Sequence, residues 1–133
     1  MSSVKAEHCE LLESLRPART VVVVDDHPSF RRCACVLLTD AGFDVVGEAA
    51  DGEAAIALVS ELDPALVLLD VQLPDIDGFE VAARLLARHP DLAIVLVSSR
   101  DHSDYGALIA ASGAKGFVVK NDLSGAVLER LLA

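Results

Sequence analysis

The hydrophobic residues of this 133-residue chain fall into five short segments, which are separated by longer amphipathic stretches. Four of the short segments are nearly uninterrupted apolar runs, as in strands that are buried on both faces of a sheet. The fifth is more mixed, as is typical of an outer strand. The predicted strands are Val21–Val24, Phe43–Gly47, Ala65–Leu69, Leu92–Val97 and Phe117–Val119.

Apolar residues recur with helical spacing in the stretch that follows each predicted strand. Pro28 suits the first turn of the first helix, and Gly42 suits a left-handed position just after its end. Cys33 lies on an apolar face and is expected to be a small residue of the core. The predicted faces are Phe30, Cys33, Ala34, Leu37 and Ala41; Ala55, Leu58, Val59 and Leu62; Phe79, Ala82, Ala83 and Leu86; Tyr105, Leu108, Ile109 and Ser112; and Leu123, Val127 and Leu131.

Strand and helix alternate five times along the chain, which indicates parallel strands joined by right-handed helical crossovers. The predicted fold class is therefore α/β, a three-layer α/β/α sandwich with a doubly wound, five-stranded parallel sheet. Residues 19–133 are expected to form this single domain. Residues 1–18 are expected to be a tail or a short helix, because apolar residues have helical spacing there but Pro17 would separate them from the fold.

Acidic residues outnumber basic ones, with 21 Asp and Glu against 11 Lys and Arg and a formal net charge of −10. This charge would repel nucleic acid and an anionic membrane surface. No apolar run approaches the roughly 20 residues that cross a bilayer. The three cysteines cannot all pair, which favours a reducing compartment. We therefore expect a cytoplasmic protein that does not itself bind nucleic acid or a membrane.

Polar side chains follow or end four of the predicted strands. Asp25 and Asp26 follow the first strand, Asp70 follows the third, Ser98 ends the fourth run and Lys120 follows the last. In a parallel α/β sheet, ligand sites form beyond the carboxyl ends of the strands. These five residues are therefore expected at one edge of the sheet.

A single Asp after a strand is most often a turn or helix-cap residue, but three carboxylates at one edge repel one another. A hard divalent cation would satisfy them, and Mg²⁺ prefers oxygen ligands. Lys120 adds a fixed positive charge and Ser98 a hydroxyl donor, which together could bind the oxygens of a transferring phosphoryl group. The set therefore predicts a metal-assisted phosphoryl-transfer site.

Four sequence blocks carry a resemblance to a known family: VVVVDDHPSF, LVLLDVQLPDIDGFE, VLVSS and GFVVK. They resemble the receiver domains of response regulators in two-component signalling, over about residues 19–132. The DDHPSF block, and Lys120 without a following proline, are most similar to the receivers of LuxR-type transcription regulators. The resemblance implies a flavodoxin-like fold with strand order 2-1-3-4-5.

The resemblance also implies roles for individual residues. Asp70 would be the phosphoacceptor. Asp26 would bind Mg²⁺ directly, Asp25 would act through a water molecule, and Gln72 would contribute its backbone carbonyl.

Three further residues receive a role in the same way. Lys120 would contact the phosphoryl group, Ser98 would reorient on phosphorylation, and Phe117 would be the aromatic side chain whose rotamer follows that change. The implied donor is a sensor histidine kinase or a phosphotransfer protein, and the implied outcome is a conformational switch that controls an output such as transcription. Such a domain is a signalling module rather than an enzyme, and members of the family often form homodimers.

Three alternative functions compete with this interpretation. A phosphohydrolase similar to the haloacid dehalogenases needs a second Asp two residues after the nucleophile, where this chain has Gln72. A flavodoxin-like nucleotide binder needs a glycine-rich phosphate loop after the first strand, where this chain has Asp25 and Asp26. The third alternative is a receiver-like interaction module that is not phosphorylated, which a phosphorylation assay would distinguish.

Overall fold

The computed structural model describes residues 19–133, apart from the side chain of His102, so the predicted N-terminal tail or helix lies outside the described residues. The strands are β1 (Thr20–Val24), β2 (Asp44–Ala49), β3 (Leu66–Asp70), β4 (Ala93–Ser98) and β5 (Gly116–Val119). The α-helices are α1 (Pro28–Asp40), α2 (Gly52–Leu62), α3 (Gly78–Arg88), α4 (Gly106–Ala111) and α5 (Gly125–Leu132), with short 3₁₀ turns at His102–Asp104 and Lys120–Asp122.

The five strands form one parallel sheet in the order β2-β1-β3-β4-β5. This arrangement confirms the predicted doubly wound fold and its strand order. β3 and β4 each end one residue later than predicted, so Asp70 and Ser98 are the last residues of their strands. Asp70 pairs with Val97, and Ser98 pairs with Val119.

The core has two parts, one on each face of the sheet, because successive strand residues point to opposite faces. Val22 and Val24 of β1 pack with the buried residues of α2 and α3, whereas Val21 and Val23 pack with those of α1 and α5. All four valines are fully buried, and each such side chain stabilises the fold by about 1.5–3 kcal/mol. No helix among residues 19–133 is long and apolar enough to span a bilayer.

The start and end of α1 agree with the prediction, and so does most of its buried face. Pro28 is in the first turn, and Gly42 follows the helix with a φ of 94°. The residues that α1 buries are Ala34 and Leu38, whereas Cys33 is exposed. Phe30, Leu37 and Ala41 pack against the same part of the core, as predicted. The expectation that Cys33 belongs to the core was wrong, because Leu38 takes the place in the core that was assigned to it.

The predicted face of α3 is confirmed for Phe79, Ala82 and Leu86, which are buried or pack against the core, but was wrong for Ala83. Val81, Ala82 and Leu85 are buried with Gly78, whereas Ala83 is exposed. The helix has one strongly apolar face, and that face also includes Val81 and Leu85, which the prediction left out.

The connection from β3 to α3 brings two backbone segments into close approach. The Gly78 N–H donates to the Val71 carbonyl over 2.8 Å, and a Cβ at Gly78 would lie 2.6 Å from the Cα of Val71 and still closer to the Asp70 carbonyl oxygen. Asp75 ties the same loop to α2, because its carboxylate accepts hydrogen bonds from the N–H groups of Gly52 and Glu53. The loop after Asp70 is thus fixed by the hydrogen bond between Gly78 and Val71 and by the contacts of Asp75 with α2.

A side chain at position 78 should destabilise the fold. We expect Gly78→Ala to lower the free energy of unfolding by about 1–3 kcal/mol, because the new methyl group would meet backbone atoms that cannot move aside. Urea unfolding measures the change. The matched control is Gly106→Ala, also at the first position of a helix, where a Cβ would have nothing within 4 Å. Equal losses in the two variants would rule out the close approach as the cause.

Candidate acidic site at the carboxyl edge of the sheet

The structure brings the predicted polar residues to one edge of the sheet. Asp25 follows β1, Asp70 and Ser98 end β3 and β4, and Lys120 follows β5. Because these four strands are parallel neighbours, their carboxyl ends lie side by side. Asp25, Asp70 and Ser98 are the buried polar or charged residues of the described chain.

Lys120 lies between the two buried carboxylates. Its Nζ is 2.6 Å from Asp25 Oδ2 in an ion pair, and it donates a hydrogen bond to Asp70 Oδ2 over 3.3 Å. The ammonium group also lies 4.6 Å from the centre of the Phe30 ring. Only 14% of the Lys120 side chain is exposed, so water screens these charges weakly.

Asp26 is the accessible carboxylate of the site, with 35% of its side chain exposed. The neighbouring His27 precedes the first residue of α1, as expected for a histidine near a helix start. Its Nδ1 lies 3.1 Å from Asp25 Oδ1 and also 3.1 Å from Asp26 Oδ1. Asp25, Asp26, His27 and Asp70 each offer one ligand atom, and these four atoms all lie within 4.8 Å of one another.

The same short turn lies at the ends of three strands. Asp25 Oδ1 accepts a hydrogen bond from the His27 N–H over 2.8 Å, and Asp70 Oδ1 accepts one from the Gln72 N–H over 3.1 Å. Ser98 Oγ accepts one from the Arg100 N–H over 3.0 Å. In each case the side chain bonds to the backbone two residues on, a turn that Asp and Ser favour. These turns were not among the features predicted from the sequence, although the residue types were a signal for them.

The turns have a chemical consequence at each position. They fix one oxygen of each buried carboxylate and turn the other oxygen toward Lys120. At Ser98 the hydroxyl oxygen accepts, which leaves its proton free to donate. The Gln72 N–H contacts Asp70, which places this residue directly beside the predicted phosphoacceptor.

Burial and charge act on the pKa values of Asp70 and Lys120. Burial raises the pKa of the Asp70 carboxyl, and the neighbouring Asp25 carboxylate raises it further; the Gln72 N–H and Lys120 oppose this only in part. Burial alone would lower the pKa of Lys120, but the bond to Asp25 and the charges of both carboxylates raise it above its ordinary value. Lys120 is therefore protonated, whereas the ionised form of Asp70 is destabilised by burial and by the Asp25 carboxylate.

Phe117 lies at the end of a row of aromatic rings. Its ring centre is 6.0 Å from that of Tyr105, which is 5.6 Å from that of Phe79. The row joins β5 to the first turn of α3, where the chain returns from Asp70. Tyr105 was expected on an apolar helix face, and its position between the other two rings was not predicted.

Comparisons with known proteins agree on one family. The family model of the response regulator receiver domain matches residues 21–131. The chain is 32% identical over 110 residues to the transcriptional regulatory protein DegU of Brevibacillus brevis, covering 82% of this chain and 47% of DegU. It is 38% identical over 101 residues to the response regulator GacA of Pseudomonas protegens, covering 75% of this chain and 47% of GacA. The chain thus spans about half the length of these relatives.

A solved structure shows the same fold. A two-component response regulator of the LuxR family from Aurantimonas sp. SI85-9A1 superposes with a TM-score of 0.77 at 29% identity, covering 86% of this chain and 81% of that one.

Replacing the Asp70 carboxylate with a neutral group should stabilise the Mg²⁺-free protein. The pKa of Asp70 is raised in the folded state, so ionisation of this carboxyl group opposes folding. The contribution of the group to stability is fully present below its unfolded-state pKa and is lost as the pH rises through its folded-state pKa. We therefore expect Asp70→Asn to unfold at a higher temperature than the wild type at neutral pH, with the difference shrinking toward pH 3. Thermal unfolding in chelator measures both. A variant that is less stable at neutral pH would contradict this assignment.

Proposed function

The chain belongs to the response regulator receiver domain family, and from that premise we propose that it accepts a phosphoryl group on Asp70 in a Mg²⁺-dependent reaction. Receiver domains are in general signalling modules rather than enzymes, and the relatives of this one are response regulators of the LuxR type. The observation that carries the proposal is the contact of Lys120 with both Asp25 and Asp70 at the carboxyl edge of the sheet.

The donor set fits Mg²⁺. Three carboxylates face one ammonium group, so two negative charges remain uncompensated when all four groups are ionised, which is the charge of one divalent cation. Asp25 Oδ2 is fully buried and has no aligned hydrogen bond besides its ion pair. Asp26 and Asp70 would bind the ion directly, Asp25 would act through water and Gln72 would add its backbone carbonyl. When bound, Mg²⁺ would neutralise charge on the carboxylates and on the incoming phosphoryl oxygens.

The residues of the chain divide the transfer step among them. An oxygen of the Asp70 carboxylate attacks the phosphorus atom of the donor and forms a new P–O bond. The bond from phosphorus to the donor's imidazole nitrogen, or to an acetate oxygen in a small donor, breaks and leaves its electron pair on the donor. Lys120 contacts the transferred phosphoryl group and stabilises its negative charge. Asp70 is the sole acceptor in this scheme.

A phosphorylation assay tests the acceptor. With Mg²⁺ and acetyl phosphate, we expect intact-protein mass spectrometry to show the addition of one phosphoryl group, which Asp70→Asn abolishes because the amide is not a nucleophile. Asp77→Asn is the matched control, because Asp77 lies in the same loop but caps α3 through the Glu80 N–H. An autophosphorylated histidine kinase is tried as a second donor. If neither donor modifies the wild type, the proposal fails and a receiver-like interaction module remains.

Ser98 and Phe117 are proposed to convert phosphorylation into a conformational change. Ser98 ends β4 with a hydroxyl proton free to donate, so it can turn to a phosphoryl group on Asp70. That movement would open space toward Phe117, whose ring packs on Tyr105. Phosphorylation would thus bias a two-state element at β4 and β5.

Chemistry and switching should separate in variants. We expect Ser98→Ala to retain at least a tenth of the wild-type extent of phosphorylation. The variant should lose most of the phosphorylation-dependent NMR shift changes at β5 and α4, because the hydroxyl group is proposed to drive the conformational change and not to accept the phosphoryl group. Phe117→Ala should behave in the same way. Full shift changes in both variants would contradict their assignment as switch residues.

The remaining functional assignments extend the same proposal. The donor is a sensor histidine kinase or phosphotransfer protein, and the output is transcription, since DegU is a transcriptional regulatory protein. The acidic net charge of −10 does not favour direct DNA binding by this chain. We further propose a cytoplasmic location, a receiver domain that spans residues 19–133, and homodimerisation. Sedimentation that shows only monomers with and without phosphodonor would overturn the last point.

A further inference from the structure

Arg31 contacts the acidic loop through an interaction that the proposed chemistry does not use. It is in the first turns of α1, where its Nη1 donates to the backbone carbonyl of Asp25 over 2.6 Å. Its Nε donates to Glu48 Oε1 of β2 over 3.3 Å. Only 19% of the Arg31 side chain is exposed, against 48% of the Glu48 side chain, so the guanidinium group is mostly buried while its carboxylate partner remains in contact with water.

With Arg31 in place, each polar group of Asp25 has a defined contact. The backbone N–H donates to the Ala49 carbonyl over 3.0 Å, one carboxylate oxygen accepts from the His27 N–H, and the other pairs with Lys120. The remaining group is the carbonyl that Arg31 contacts. This carbonyl belongs to the planar peptide unit joining Asp25 to Asp26, so its orientation fixes the plane that contains the N and Cα atoms from which the Asp26 side chain departs.

We propose that Arg31 is a positioning residue of the cation site: it fixes the Asp25–Asp26 peptide unit and thereby orients the exposed Asp26 carboxylate, while Glu48 holds the guanidinium group in place. The inference rests on the proposed function, which supplies the Mg²⁺ ion. A guanidinium group suits this role because its planar fork can donate to two acceptors at fixed angles, whereas an ammonium group is a point charge on a flexible stem.

A positioning role and a simple charge effect predict opposite results. Removing a positive charge near three carboxylates would by itself tighten Mg²⁺ binding, because the cation would meet less repulsion. Removing a positioning group should instead weaken binding, because Asp26 would lose its orientation. The sign of the change in Mg²⁺ affinity therefore separates the two.

The experiment is a calorimetric titration of the full 133-residue chain with MgCl₂ at fixed pH and ionic strength. We expect Arg31→Gln and Arg31→Lys each to raise the dissociation constant by about tenfold or more, as is typical when a group that orients a metal ligand is lost. Arg32→Gln is the matched control, since it removes the same charge from the next, exposed residue of α1 and should leave the affinity unchanged or slightly tighter.

Other outcomes are equally informative. Unchanged or tighter Mg²⁺ binding by Arg31→Gln would overturn the inference, as would wild-type affinity in Arg31→Lys. A lower urea midpoint with an unaltered dissociation constant for the folded protein would show that Arg31 only supports the fold. If the wild type itself bound no Mg²⁺, the proposed function would fail together with the inference, whereas wild-type binding with an unaltered Arg31→Gln affinity would overturn the inference alone.

Discussion

The carboxyl edge of this sheet depends on the ammonium group of Lys120, which lies against two buried carboxylates. A buried carboxylate without a partner is strongly unfavourable, and two at one edge also repel each other. Lys120 follows the edge strand β5, yet it contacts Asp70 at the end of β3 and Asp25 after β1. Four parallel strands must therefore be in register before these charges can be compensated, which links the site to the sheet as a whole.

This compensation is incomplete, and the proposed reaction depends on the negative charge that is left over. One ammonium group faces three carboxylates, and burial with the nearby Asp25 keeps the pKa of Asp70 raised. In the proposed reaction a divalent cation would supply the missing charge, and the phosphoryl group would meet a lysine and a hydroxyl donor that are already in place. The short turns after Asp25, Asp70 and Ser98 orient these side chains at little cost, because each uses a backbone N–H only two residues away.

Much of the fold follows from the sequence because its central strands are buried on both faces. The apolar runs of β1, β3 and β4 are uninterrupted, so they do not fit an amphipathic helix. The Asp and Ser residues at their ends indicate the edge of the sheet where ligands bind. Helix faces were harder to assign. In α3 the prediction left out the buried Val81 and Leu85 and included the exposed Ala83. The close approach of Gly78 to the Asp70 backbone is likewise not visible in any local pattern.

Contacts between distant segments account for the rest. The links from Arg31 to the Asp25 carbonyl and to Glu48 need β2 to lie beside β1, which only the folded chain provides. The place of Tyr105 between Phe79 and Phe117 depends in the same way on the approach of α3, α4 and β5. Residue types predicted the chemistry of the site, whereas tertiary packing determines how its parts are coupled.

Chemical trapping of the phosphorylated residue tests the central claim most directly. An acyl phosphate on Asp is reduced by borohydride, so peptide mapping after treatment with a phosphodonor and Mg²⁺ identifies the acceptor as homoserine. The account predicts homoserine at position 70 alone, and none when Mg²⁺ is chelated. Homoserine at position 25, 26 or any other carboxylate, with position 70 unmodified, would contradict it.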